Sequence, residues 1–282
     1  MVIAEVNRQA PRTFGERTLG ENDLDAILHT DRPPLENPPA RIREVDARIA
    51  AHIAELIDDG ATLQMGIGAI PDAVLGALRN HRELGVHSGS LGDGVAQLMQ
   101  AGVITNTRKS RDCGVSIGGV LLGSRVIHDF AHDNPAIQLR STAYTHDPDL
   151  LASLDRFVAI NSAVEVDLTG QINSEVAAGS YVGAVGGALD FLRGAHRSKG
   201  GIPIVAMPST AGSMSRIVAA LSGPTTIPRS DAGVIVTEHG VADLRGKTLV
   251  QRIESMLAIA APQYRKTLEA QMSEMIPFCR PL

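Results

Sequence analysis

Tryptophan is absent, and the aromatic residues together make up only 3% of the chain. Stacking platforms for bases or sugar rings are therefore scarce. Cysteine occurs twice, at Cys113 and Cys279. That is too few for a disulfide framework or a cysteine-built zinc site, so a reduced cytoplasm is the expected compartment. No apolar run reaches the roughly 18 residues that a membrane-spanning helix needs. The opening Met1-Val2-Ile3-Ala4-Glu5-Val6 lacks the basic region and long apolar core of a secretory leader. Neither a membrane nor a nucleic acid is an expected partner, because 26 basic against 31 acidic residues leave a net charge of −5.

What is present is glycine, 28 of 282 residues, in a chain that is 44% apolar and 20% charged. That composition belongs to a globular protein. The first 40 residues read as an extended arm or linker, ending in the proline-rich Asp31-Arg32-Pro33-Pro34-Leu35-Glu36-Asn37-Pro38-Pro39, and residues 41–282 as an α/β domain. Ile42, Val45, Ile49, Ile53, Leu56 and Ile57 recur at helical spacing until Gly60. A strand over 62–65 leads into a helix with Pro71 and Asp72 in its first turn, where both are favoured. Strand-like runs follow at 84–87, 115–122, 157–160, 202–207 and 234–237, with helical stretches at 95–100 and 189–195. Thr248-Leu249-Val250-Gln251 is a capping box opening a last helix, which turns Ile253, Met256, Leu257 and Ile259 inward. The alternation predicts a mostly parallel sheet flanked by helices.

Glycine-rich turns stand out at Gly66-Ile67-Gly68, at Gly89 to Gly94, and at Gly183-Ala184-Val185-Gly186-Gly187. Backbone without side chains can approach an anion or a developing oxyanion, with help from a following helix dipole. Each turn alone is more often structural than functional. The run Asn161 to Glu175 leads into the third turn, and Val236-Thr237-Glu238-His239-Gly240-Val241-Ala242-Asp243-Leu244-Arg245-Gly246 follows it. In that order, from about residue 1 to about 270, these segments resemble the acetyl-CoA hydrolase/transferase family, which includes 4-hydroxybutyrate and acetate/succinate CoA-transferases.

The resemblance implies a CoA-transferase-like α/β fold and transfer of CoA from an acyl-CoA to a small carboxylate through a glutamyl-CoA thioester. Coenzyme A is then a co-substrate, with no tightly bound cofactor. It implies a CoA site at Gly66, Gly68, Gly183, Gly186 and Gly187, and either a homo-oligomer or a second CoA-transferase-type subunit as partner. It also implies that the family's N-terminal domain is absent from this chain. Two departures follow from it. His87-Ser88-Gly89 stands where the family reads His-Thr-Glu or His-Ser-Glu, so Gly89 occupies the nucleophile position. His146-Asp147-Pro148 stands where Asn-Asp-Pro is expected, at a polar contact to CoA.

The remaining acid–base candidates are Glu238 and His87. Glu238 follows a buried-looking strand at the edge where ligands of open α/β sheets gather, and could act as base on a water attacking a thioester. The competing structural reading has it fix the turn over 241–246. Glu175 has a weaker claim. His87 could be a base, although a lone histidine is more often structural. A Ser88–His87 dyad is not expected, since neighbours on a strand point to opposite faces. Thioester transfer or hydrolysis is the expected activity, with an inactive CoA-binding or scaffolding subunit as the alternative. No metal site is expected: His128 and His132, with Asp133, lack a third ligand. Cys113 reads as a small buried thiol, and Arg108, Lys109 and Arg111 as a solvated loop or a contact for a CoA phosphate.

Overall fold

Thr62–Met65 (β1) is a short strand with every residue buried. In the computed structural model, which describes residues 1–16 and 19–275, it lies within a six-stranded sheet. The other strands are Gly85–Val86 (β2), Phe157–Ser162 (β3), Ile202–Ala206 (β4), Val234–Thr237 (β5) and Gly240–Asp243 (β6). Their spatial order is β6-β5-β4-β3-β1-β2, parallel throughout except for the antiparallel edge strand β6. A parallel sheet buries both faces, and the side chains show it with period 2. Val158, Ile160, Ile204, Ala206, Val234 and Val236 enter one core, while Phe157, Ala159, Val205, Met207 and Ile235 enter a second.

The first core is covered by Glu44–Ala54 (α1), Ala69–Ala77 (α2), Asp93–Gln100 (α3) and Arg125–Ala131 (α4). Ile49 and Ile53 of α1 are fully buried one turn apart, and the Asp46 carboxylate accepts the Arg43 N–H at 2.9 Å to close the helix start. The helix ends at Ala54, so Ile42 stays 48% exposed outside it and Ile57 is buried beyond it. The second core is covered by Thr142–Thr145 (α5), Pro148–Ser153 (α6), Ala188–Arg197 (α7), Leu249–Ile259 (α8) and Arg265–Met275 (α9). The capping box at Thr248 forms as expected, but α8 is not the last helix: α9 follows it and docks through Leu268.

The run over 115–122 is not one strand. Ser116–Gly118 pairs with Ile137–Leu139, whereas Val120–Leu121 pairs with Ser90–Leu91. The break is Gly119, whose N–H donates to the Gly89 carbonyl at 3.1 Å. Within the first 40 residues, Ile3–Asn7 and Ala26–Thr30 form their own two-stranded parallel sheet. The proline-rich stretch then returns to the body, where the Asn37 N–H donates to the Gly123 carbonyl at 2.8 Å.

Candidate functional site

The chain runs from β1 outward to β2, then crosses back to place β3 on the other side of β1. Adjacent loops leave the carboxyl ends of β1 and β3 in opposite directions, the arrangement that opens a ligand crevice in α/β sheets. Gly66-Ile67-Gly68 sits at that switch point. Beneath it, the buried amides of Gln64 and Asn161 bind each other across the two strands, at 2.9 Å and 3.3 Å. Gly66 donates its N–H to the Ile160 carbonyl at 2.9 Å, so this N–H braces the turn and is not free for an oxyanion. Gly68 takes φ 109°, a conformation that favours glycine, and starts α2. A cavity of about 370 Å³ opens here, lined by Asn37, Pro38, Gly66, Gly68, Ser90 and Gly92 among others.

Residues 87–90 form the neighbouring wall. Ser88 Oγ donates to the Met65 carbonyl at 3.1 Å, tying this wall to the end of β1. His87 faces away from it, with Nε2 3.2 Å from the Thr145 carbonyl, so the two side chains part as a strand pattern requires. His87 is fully buried. Burial, helped by the nearby Lys109 ammonium, pushes its imidazole down to about 4. It is a neutral donor within the protein and presents no nitrogen to the cavity.

A Cβ built on Gly89 would point at His146, 3.4 Å from Cε1 and 3.6 Å from Nε2, with Phe191 at 3.6 Å. These are ordinary contact distances, so Gly89 is not forced by crowding. The opposite holds at Gly187, where a Cβ would lie 2.2 Å from both Nε2 and Cδ2 of His146. The ring stands there only because residue 187 has no side chain. His146 is half-buried, packs on Phe191 with ring centroids 4.5 Å apart, and has Nδ1 2.8 Å from Thr145 Oγ1. Burial lowers the His146 pKa, against the opposing charge of Asp190.

The structure thus brings Gly89 and Gly187 against His146, and places Gly66 and Gly68 on the cavity that Ser90 and Gly92 also line. Of the other candidates, Gly183 and Gly186 lie on the exposed part of the turn that ends at Gly187, and Glu238 and Glu175 are held by serine and threonine partners. Gly183 spends its N–H on the Glu175 carbonyl, and Gly183 and Gly186 are exposed, beside Tyr181 and Val185 at 76% and 79% exposure. Glu238 follows β5, four strand spacings from β2, or about 19 Å at the usual inter-strand distance. Its oxygens accept the Ser209 hydroxyl at 2.7 Å and the Ser209 N–H at 2.8 Å. Burial acts to raise its pKa, but those two hydrogen bonds, together with its own backbone N–H and the nearby His239, hold the carboxyl below its ordinary value. It braces the loop after β4 and not, as the structural alternative had it, the turn over 241–246. Glu175 likewise accepts from Thr226 Oγ1 at 2.8 Å.

The basic cluster dissolves on inspection. Lys109 is buried and donates to the carbonyls of Val86 and Val115, at 2.9 Å and 2.7 Å, while Arg108 pairs with Glu83 at 3.0 Å. Cys113 is exposed rather than buried, because its turn lies at the surface with Sγ 3.3 Å from the Thr107 carbonyl. Cys279 lies outside the described residues. His132 is not paired with His128: it caps α4 and accepts the Arg12 N–H at 3.1 Å. Among the described residues no group of three or more His, Cys, Asp or Glu is placed to hold a metal ion.

Sequence reasoning missed Thr145, which grips His146, and Ser209, which grips Glu238. Neither carries a local signal, since each partner pair is set by side-chain geometry or by a contact 29 residues distant. A hydroxyl immediately before a histidine at a helix end was the one available hint for Thr145.

The model of the acetyl-CoA hydrolase/transferase C-terminal domain matches residues 123–272, just over half of the chain. The chain is 44% identical over 272 residues to a 4-hydroxybutyrate coenzyme A transferase of Clostridium kluyveri, covering 95% of this chain and 63% of that one. It is 40% identical to a succinyl-CoA:acetate/propanoyl-CoA:succinate CoA transferase of Fasciola hepatica, covering 95% and 57%. The crystal structure of RipA from Yersinia pestis superposes with TM-score 0.92 at 40% identity, over 97% of this chain and 63% of that one. A 4-hydroxybutyrate CoA-transferase from Porphyromonas gingivalis superposes with TM-score 0.86 at 41% identity, over 97% and 66%. The chain therefore spans about 63% of the Clostridium relative's length. With the family's C-terminal domain matched over most of its sheet and its fold shared, the chain belongs to the acetyl-CoA hydrolase/transferase family.

Proposed function

We propose that this protein handles acyl-CoA thioesters, by hydrolysis or by transfer of CoA to a small carboxylate without a covalent glutamyl intermediate at position 89. The observation that carries the reading is the meeting of two glycine turns, Gly66 to Gly68 and the one that supplies Ser90 and Gly92, around one cavity at the switch point of the sheet. A narrow pantetheine arm needs such close backbone approach, and Gly89 supplies no nucleophile for the glutamyl-CoA route that the family resemblance implies. Coenzyme A is the co-substrate. Residues 1–40 act as an arm that borders the cavity through Asn37 and Pro38, and residues 41–282 form the CoA-transferase C-terminal-type domain.

Incubation of the chain with acetyl-CoA and propionate, followed by mass spectrometry of the CoA species, tests this. Propionyl-CoA means transfer, and free CoA above the spontaneous rate means hydrolysis. Unchanged acetyl-CoA together with no CoA binding in calorimetry overturns the reading. A second reading, a CoA-binding subunit completed by another copy or by a second CoA-transferase-type chain, is favoured by one observation. The turn at Gly183 to Gly186 is open to solvent, with Tyr181 and Val185 uncovered beside it. Activity in a demonstrably monomeric sample counts against it.

A further inference from the structure

We propose that His146 is the catalytic base of this protein, activating a water for attack on an acyl-CoA thioester from the space that Gly89 leaves open. The inference rests on the acyl-CoA reading above and deepens it by selecting hydrolysis.

Geometry carries it. A side chain at position 89 would start 3.4–3.6 Å from the His146 ring, so the imidazole takes ground that such a side chain would cover. Nε2 borders two residues without side chains, Gly89 and Gly187. The other nitrogen is engaged: Nδ1 lies 2.8 Å from Thr145 Oγ1. Thr145 Oγ1 donates its own proton to the Ser141 carbonyl at 3.3 Å, which leaves it to accept from Nδ1–H. With the proton on Nδ1, the tautomer that this arrangement accommodates, Nε2 keeps a lone pair on the Gly89 side. Phe191 fixes the ring plane from α7. A histidine held in one tautomer by a second group, with its free nitrogen beside a vacated position, has the arrangement of a general base.

In the step, Nε2 takes a proton from water as the water oxygen bonds to the acyl carbon. The C–S bond then breaks, and the imidazolium returns its proton to the leaving sulfur, giving a carboxylic acid and the CoA thiol. The charged and titratable groups around His146 are Asp190 on α7, whose charge favours the imidazolium, and His87 at the end of β2, which stays neutral to about 4. Burial outweighs Asp190 and keeps His146 below its ordinary value of 6.5, so Nε2 is unprotonated near neutrality.

The test uses the full chain with acetyl-, propionyl- and butyryl-CoA, reading thiol release, alongside calorimetric CoA binding. His146→Gln and His146→Ala are expected to lose thiol release by about 100-fold or more, a loss in kcat far larger than any change in CoA affinity. The wild-type rate is expected to fall on an acid limb that the variants lack, and added imidazole to restore part of the rate in His146→Ala. Thr145→Val, which frees the tautomer, is expected to lower the rate without changing CoA affinity. Unchanged rates in folded His146 variants overturn the proposal. So does a wild type that binds CoA but releases no thiol from any of the three substrates, an outcome that leaves the CoA-site reading standing. A wild type that does not bind CoA overturns both.

Discussion

Acidification loads a specific cost on the buried imidazole behind the Gly89 wall. His87 titrates at about 4 in the folded protein against an ordinary 6.5, because burial removes the charged form from water and the Lys109 ammonium repels it. As pH falls through 6.5, the unfolded chain binds a proton that the folded chain refuses until about 4. The stability that His87 contributes is thus complete above 6.5 and is lost progressively down to the folded value. Linkage gives a loss of about 2 kcal/mol between roughly pH 7 and pH 5, and about 3 kcal/mol over the whole window. Urea denaturation of the wild type and His87→Gln at those two pH values isolates the effect, since every other titrating group is shared. The wild type is expected to lose about 2 kcal/mol more than the variant on acidification. Parallel losses in the two proteins refute the reasoning, and would mean that the folded pocket accepts the charge.

Gly187→Ala should displace the His146 ring, because the new methyl would sit 2.2 Å from Nε2. Thiol release from acetyl-CoA is expected to fall toward that of His146→Ala, with the thermal midpoint little changed. Gly89→Glu alone puts its side chain against His146, so transferase activity, read as propionyl-CoA formation, is expected to rise further in Gly89→Glu combined with His146→Asn. Gly85→Ala drives a Cβ to 2.5 Å from Lys109 Cγ, and that lysine is pinned at its far end by two carbonyls. A loss of about 1–3 kcal/mol in chemical denaturation is expected for such overpacking. Cys113 is exposed and should react rapidly with a thiol reagent in the folded protein.

The period-2 and helical patterns of this sequence determined its layers. Strands at 62–65 and 234–237 fall where the apolar runs place them, and the capping box at Thr248 starts its helix, because each is decided by neighbours a few residues away. The apolar run over 115–122 did not stay whole, since Gly119 lets the backbone turn toward Gly89, a partner that no local window contains. Lys109 was legible only as a charge. Its burial depends on a path past Gly85 and on two carbonyls, one from the strand residue Val86 and one from Val115 in the loop that follows the lysine. Two of the glycine turns fall on one cavity, through Gly66 to Gly68 and through Ser90 and Gly92. Tertiary structure alone decided which acid–base groups share that region. Glu238 lies two strand spacings from β3 and three from β1, held by Ser209, and His87 is sealed beneath the wall. His146, distant in sequence from the turns it meets, reaches Gly89 and Gly187 because Tyr144 of α5 and Phe191 of α7 pack into the same core. Local interactions fix elements through short-range sterics and hydrogen bonding, whereas a reactive site is a set of distances between elements that only the closed sheet defines.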